Sequence, residues 1–306
     1  MNIFSIVVTW NGDKWIEKCL ASLRDSALRV SVIIIDNAST DQTVHIIKNK
    51  FPEYQLIETV NNLGFGKANN IGLEMALQLN AEYVFLLNQD AWIESNSLQN
   101  MVNVHKVNPK YGILSPIHFN SDHTELEYKF LEYIQPGMCP GFVSDYIMGK
   151  LTSVYETTFV NAAAWLISKD CLQTVGGFDP LFPHYGEDVD FVERAKYFGY
   201  KTGIVPNSKV WHDSKIVSWP EILQNRKRML TIYMSELKNV GGSLRSNLLI
   251  FLKRHFDDLS SHLLFRRFKM FAYKSGLIAK SLMKIRAISK ARKLSKMKGA
   301  FLQMNK

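Results

Sequence analysis

The chain has 306 residues, 46% of them apolar, and a formal net charge of +9, enough for one large domain or a domain with an appendage. Its three cysteines, Cys19, Cys139 and Cys171, are far apart and form no CxxC. That excludes a disulfide framework and a cysteine zinc site, and fits a reduced, cytosolic compartment. No apolar run approaches the ~20 residues that cross a bilayer, and the first residues enter a strand without the basic start and apolar core of a signal peptide.

The charge is unevenly spread. Residues 1–220 hold 17 Lys+Arg against 24 Asp+Glu, whereas residues 221–306 hold 20 against 4. The body is therefore mildly acidic and the tail strongly basic, which predicts two parts with different partners.

In chain order, Asn2–Trp10 is β-branched and aromatic and predicts a strand ending at Asn11-Gly12. Asp13 is placed to cap a helix with Ile16, Cys19, Leu20 and Leu23 on one face. Val30–Ile35 is a second buried strand stopping at Asp36, and Ser39 and Thr40 offer caps for the helix that follows. Tyr54–Val60 is a third strand. The loop Asn61-Asn62-Leu63-Gly64-Phe65-Gly66 then opens a helix through Leu79. Tyr83–Leu87 is a continuous apolar run, a strand buried on both faces, and it stops abruptly in Asn88-Gln89-Asp90. A helix around Leu98–Val107 and a strand at Gly112–Ile117 complete a β-α rhythm that predicts a largely parallel sheet covered on both faces. Residues 118–158 are the least regular, with strand-like pieces at Glu127–Tyr133 and Phe142–Met148.

Three strand ends, at Thr9/Asn11, Asp36 and Asn88/Asp90, should share the C-terminal edge of the sheet, where open α/β sheets bind ligands. The oxygen-rich triplet Asn88-Gln89-Asp90 can hold a divalent cation bridging phosphates, or can simply be a polar turn. Neither GxGxxG nor GxxxxGK[ST] is present, which points away from dehydrogenases and NTPases.

VVTWNG (7–12), IDNASTDQT (35–43), NNLGFGKANN (61–70), LLNQDAW (86–92), VGGFDPLFPHYGEDVDF (175–191) and VWHD (210–213) follow in that order. Together they resemble the family-2 glycosyltransferases, in their bacterial rhamnosyltransferase-like branch, over about residues 3 to 215. The resemblance implies an α/β GT-A fold that binds a nucleoside diphosphate sugar and transfers the sugar with inversion, aided by Mn2+ or Mg2+. It implies a donor-binding half at about 1–117 and an acceptor half at about 118–220. It also places Thr9, Asn11 and Asp36 around the base and ribose, with Asp41 bracing their loop. Gly64, Gly66, Lys67 and Asn70 would close over the nucleotide, with Asn88 and Asp90 beside them.

The family signature Asp-x-Asp reads Asn88-Gln89-Asp90 here, one carboxylate fewer, which weakens a cation site until the donor's diphosphate completes it. Asp90 and His212 match the family's metal ligands. An inverting displacement needs a carboxylate base within reach of the acceptor hydroxyl. Asp188 is the expected base and Glu187 its neighbour for orienting the acceptor, at the start of a helix with Val189, Val192 and Ala195 inward. The missing carboxylate and the basic tail also allow a catalytically impaired GT-A-like scaffold protein.

Residues 221–306 predict helices broken at Gly241-Gly242. Leu244, Leu248, Leu252, Phe256, Leu259 and Leu263 recur at helical spacing, as do Ile278, Leu282, Ile285 and Ile288, with Lys and Arg on the remaining face. Such a basic amphipathic tail fits an anionic membrane surface, at the inner face of the cell membrane, or a homo-oligomer contact. It does not fit nucleic acid, because its aromatics sit at core spacing and build no stacking platform.

Overall fold

The computed structural model describes residues 1–214 and 219–303; residues 215–218 and 304–306 lie outside it. The first half alternates as β1 (Ile3–Thr9), α1 (Ile16–Arg24), β2 (Ser31–Asp36), α2 (Thr43–Lys50), β3 (Gln55–Glu58), α3 (Phe65–Gln78) and β4 (Tyr83–Leu87). There follow β5 (Ala91–Ile93), α4 (Ser97–Val107) and β6 (Tyr111–Asn120). The second half carries α5 (Tyr128–Ile134), α6 (Phe142–Ile147), β7 (Tyr155–Thr157), β8 (Ala164–Ser168), α7 (Lys169–Val175), α8 (Glu187–Tyr197) and β9 (Lys201–His212). Five helices end the chain: α9 (Trp219–Gln224), α10 (Arg226–Lys238), α11 (Leu244–Leu264), α12 (Phe268–Met283) and α13 (Ile285–Ser295).

The strands form one mixed sheet in the order β3-β2-β1-β4-β8-β6-β9-β5, with β7 on β9. It is parallel from β3 to β4 and between β6 and β9, while β8 lies antiparallel between β4 and β6. Alternate residues of the apolar runs feed two cores. Ile6, Ile33, Ile35, Val84 and Leu86 pack under α3 and α8, and Val7, Ile34, Phe85 and Leu87 pack under α1 and α4. Period-2 alternation with both faces covered makes these strands apolar throughout. Each such side chain contributes about 1.5–3 kcal/mol when fully buried. This is the GT-A architecture, a central sheet between helices with a helical region at its end.

Four expectations are corrected. Asp13, Ser39 and Thr40 cap no helix, since α1 and α2 begin after Trp15 and Gln42, neither of which makes a side-chain cap bond. Glu127–Tyr133 and Phe142–Met148 contain the helices α5 and α6, not strands, because Phe130, Tyr133 and Ile134 bury one face at i, i+3, i+4 spacing. Val192 and Ala195 are buried as expected, but Val189 points outward from α8; Asp190 and Arg194 are buried as well, charges that pair at 2.8 Å. They meet Lys238 of α10, itself buried, which also pairs Asp179 at 2.8 Å, so the opposite charges compensate one another. In α11, Leu252, Phe256 and Leu263 are exposed, and Phe251 and His255 turn inward against Tyr233 instead.

The tail packs closely on the body. Phe182 joins Met229, Tyr233, Leu237, Phe251, Leu277 and Ile288 in a third core. Residues 299–301 return to the body: Gly299 N–H donates to Thr174 O (3.0 Å) and Gly177 N–H to Ala300 O (2.8 Å). Gly176 has φ 85°, and any side chain there would collide with the Ala300 backbone. No described helix is long and apolar enough to cross a membrane.

Candidate active site

The expected strand ends do converge. Thr9 and Asp36 are paired across β1 and β2, and both are buried. Thr9 Oγ1 donates to Gln89 Oε1 (2.6 Å), which also accepts from Trp10 N–H (2.8 Å), so the triplet after β4 is clamped to the end of β1. Asn11 takes φ 47° and its Oδ1 accepts from Thr40 N–H (2.8 Å). Asp41 accepts from Thr43 N–H and Oγ1 and from Asp13 N–H, bracing the loops after β1 and β2. These hydrogen bonds outweigh burial and hold its carboxyl below the usual range. Asp36 Oδ2 accepts from Ser39 N–H, while its buried Oδ1 has no protein partner and is free to accept from a ligand.

Between these loops lies a cleft of about 220 Å³, lined by Trp10, Asn37, Gly64, Phe65, Asn88 and Asp90 among others. Asn37 Oδ1 accepts from Leu63 N–H (2.7 Å), and its amide donates to Asn62 Oδ1 (3.0 Å), which tethers the glycine loop to the end of β2. Gly64 has φ 79° and packs against Pro183 O; Gly66 packs under Phe178 and Glu187.

At the far end of the cleft, β5 pairs with β9 so that Ala91 faces His212. This register sets Asp90 Oδ1 3.3 Å from His212 Nε2. Behind His212, Nδ1 lies 3.4 Å from Glu127 Oε1, and Glu127 Oε2 lies 3.2 Å from His118 Nδ1. His118, Glu127 and His212 are all buried, and their ligand atoms lie within 4.8 Å of one another. Burial alone would keep His212 neutral, but Asp90 and Glu127 overcome it and raise its pKa to about 10. Burial likewise pushes the Glu127 carboxyl up, and the two imidazoles more than reverse this, holding it far below the usual range. His118, whose Nε2 meets Ser115 Oγ at 2.9 Å, is shifted down by burial. The partly exposed Asp90 carboxylate on one side of His212 and the buried Glu127 carboxylate on the other make a site that favours positive charge, and its N/O donor set can hold a divalent cation. His118 and Glu127 escaped the sequence analysis: β6 runs on to Asn120, and Glu127 returns from a loop nine residues after His118.

A second cavity, about 160 Å³, is lined by Asn161, Tyr185, Glu187 and Asp188 together with Phe65, Asn88 and His184, which also line the cleft. The two cavities share that wall. Gly186, at φ 83°, starts α8 so that both acids reach the cavity. Burial first, then repulsion from Asp188, raises Glu187 to about 8, and its Oε2 has no protein partner. Burial also raises Asp188, which is the more exposed of the two. Arg228 of α10 stacks over Tyr185 at 4.5 Å and closes that side.

Two expected donor residues sit elsewhere. Lys67 is exposed on the first turn of α3, and Asn70 is buried away from the cleft. Its amide donates to Phe178 O (2.9 Å) and to Phe301 O (3.3 Å), and its Oδ1 accepts from Phe178 N–H (2.7 Å).

Residues 5–176 match the family described as Glycosyl transferase family 2. The chain belongs to that family. Among curated relatives of this transferase is the N-acetylglucosaminyl-diphospho-decaprenol L-rhamnosyltransferase of Mycobacterium tuberculosis, 26% identical over 228 residues, 68% of this chain and 74% of that protein. Another is the dTDP-rhamnosyl transferase RfbF of Shigella flexneri, 22% identical over 216 residues, 69% of each. The transferase also shares its fold with Staphylococcus aureus TarS (TM-score 0.59, 16% identity), over 97% of this chain but 55% of that one. It matches a mannosyltransferase of Pyrobaculum calidifontis solved with GDP-Man and Mn2+ (TM-score 0.59, 16% identity), over 96% of this chain and 86% of that one. The transferase thus joins a GT-A fold to a buried cluster able to hold a divalent metal.

Proposed function

We propose that the protein is an inverting rhamnosyltransferase, moving rhamnose from dTDP-rhamnose to a hydroxyl of a lipid-linked glycan precursor at the cytoplasmic face of the cell membrane. The observation that carries this is the shared wall. The donor cleft ending at Asp90 and the cavity holding Asp188 meet at Phe65, Asn88 and His184, so an anomeric carbon and an acceptor hydroxyl can meet there. The two rhamnosyltransferase relatives support the choice of sugar, and the diphospho-decaprenol acceptor of one of them supports the acceptor class.

In this reading Asp36, Asn37 and the loop at Gly64 hold the base and ribose, with Thr9 and Asn11 shaping the floor. Asn88 offers an amide to the donor. Asp90 and His212 Nε2 would hold Mn2+ or Mg2+, and Glu127 would orient His212 through Nδ1, as carboxylates commonly do behind metal-bound imidazoles. When bound, the cation supplies a Lewis acid that neutralises the leaving diphosphate.

Asp188 takes the proton of the acceptor hydroxyl as that oxygen attacks the anomeric carbon. The diphosphate departs from the opposite face, so the configuration inverts. Glu187, protonated at neutral pH, donates a hydrogen bond to the acceptor. Donor hydrolysis measured across a panel of nucleotide sugars, with Mn2+ and with chelator, tests this reading. dTDP-rhamnose turnover that depends on the metal is expected. No turnover of any donor under either condition would leave the scaffold reading in place.

A further inference from the structure

The outer side of α11 is apolar, and among the described residues nothing covers it. Leu249, Leu252, Phe256 and Leu263 fall at helical spacing and are 40–71% exposed. The stripe runs into the turn between α11 and α12, where residues 263–269 are exposed without interruption. There Leu264, Phe265 and Phe268 stand 77%, 66% and 63% exposed, beside Arg266, Arg267 and Lys269. From Leu259 to Lys306 the sequence contains no Asp or Glu. On α11 the acids are Asp257 and Asp258, and Asp258 is paired with Lys274 at 2.7 Å.

We infer that the α11–α12 turn, with the outer stripe of α11, inserts into the head-group layer of an anionic bilayer. The inference rests on the membrane reading above and adds the element that makes the contact. Large apolar side chains interleaved with cations match an interface of acyl chains below anionic head groups. A second copy of the chain matches it less well, because a two-fold contact would set these cations against themselves.

The turn is also placed to serve the active site. Lys269 and Met270 line an apolar cavity of about 470 Å³ with Pro220, Leu223 and Tyr273. Tyr273 Oη donates to Leu223 O at 2.6 Å, tying α12 to α9. One turn further on, Gly276 lies under Arg226, at the start of the helix whose Arg228 closes the acceptor cavity. Phe268 to Gly276 spans roughly 12 Å of helix. The turn is thus linked through α12 and the start of α10 to the helix whose Arg228 borders the acceptor cavity.

The test uses the full chain and vesicles of phosphatidylcholine with and without phosphatidylglycerol. Wild type should sediment with the anionic vesicles and be partly released by salt. Replacing Leu264, Phe265 and Phe268 together by Ser removes the apolar tip and keeps every cation; binding should fall by roughly tenfold or more. These side chains are exposed, so thermal unfolding and donor hydrolysis should stay at wild-type values. In Phe265→Trp, indole emission should shift to the blue on vesicles and be quenched by brominated lipid. If wild type does not bind anionic vesicles, the membrane reading itself fails. If wild type binds and the triple variant binds equally, the membrane reading stands and the turn is not the contact. A triple variant that loses a dimer in sedimentation velocity yet keeps vesicle binding would assign the surface to self-association and overturn the inference.

Discussion

The carbonyl oxygen of Pro183 occupies the space that a side chain on Gly64 would need. Two motifs more than a hundred residues apart are thereby pressed together, and the loop over the donor cleft rests on the segment that leads into the acid pair. Gly64→Ala would meet both that backbone oxygen and a φ of 79°, a left-handed conformation that costs an L-residue about 1–3 kcal/mol. Lower stability in urea and weaker binding of dTDP by calorimetry are expected together. Unchanged dTDP affinity would show that the loop does not close on the nucleotide.

Asp188→Asn should keep dTDP affinity and lose about 100- to 10,000-fold in turnover at every acceptor concentration. Glu187→Gln resembles the protonated acid, so at pH 7 it should keep most turnover while the acceptor KM rises. Stability should separate the two states as well. The folded-state pKa of Glu187 is about 8 against an ordinary 4.5, so the folded protein retains a proton that the unfolded chain loses. Its contribution is complete below pH 4.5, declines as pH rises to about 8 and is constant beyond, by on the order of a few kcal/mol. Urea unfolding at several pH values should show Glu187→Gln flattening this slope. A dead Glu187→Gln beside an active Asp188→Asn would exchange the roles.

Asp90→Ala should abolish Mn2+-dependent donor binding, and His212→Ala should weaken it less. Glu127→Gln touches neither donor nor cleft, yet it removes the carboxylate that orients His212, and a loss of roughly 10- to 100-fold in Mn2+ affinity is expected. Titration calorimetry with Mn2+ and dTDP checks all three. Wild-type metal affinity in every variant would make the cluster a structural hydrogen-bond network.

Asn70 separates a binding role from a structural one. Asn70→Ala leaves the N–H and carbonyl of Phe178 without their partner, at about 1–3 kcal/mol for each buried group. Stability should fall in urea while dTDP affinity stays the same. The reverse pattern would return Asn70 to the nucleotide.

Apart from the three-residue β5, the strands up to Ile117 are legible in the sequence because strands covered on both faces must be apolar throughout. Asp90 is legible because the polar triplet it closes follows such a strand, whereas the acid pair follows no strand and is placed only by the motif that carries the family resemblance. Residues 118–158 are not, since Phe130 and Tyr133 favour a strand by intrinsic preference while packing makes them a helix face. His118 and Glu127 carry no local signal: what joins them to His212 is the register of β6 on β9, a long-range property. The stripe of α11 was legible as a stripe, but spacing does not say which side of a helix its neighbours cover.

The hydrogen bond from Gly177 to Ala300 has a consequence for biosynthesis. Ala300 leaves the ribosome about 120 residues after Gly177. At roughly 5–20 residues per second, that interval lasts roughly 6–24 s. Through that interval the sheet and its two cores can assemble, while Thr174–Gly177 and Phe182 still await the segments that cover them. The segment 174–182 that leads into Glu187 and Asp188 therefore completes its contacts only after residues 229–301 have been made.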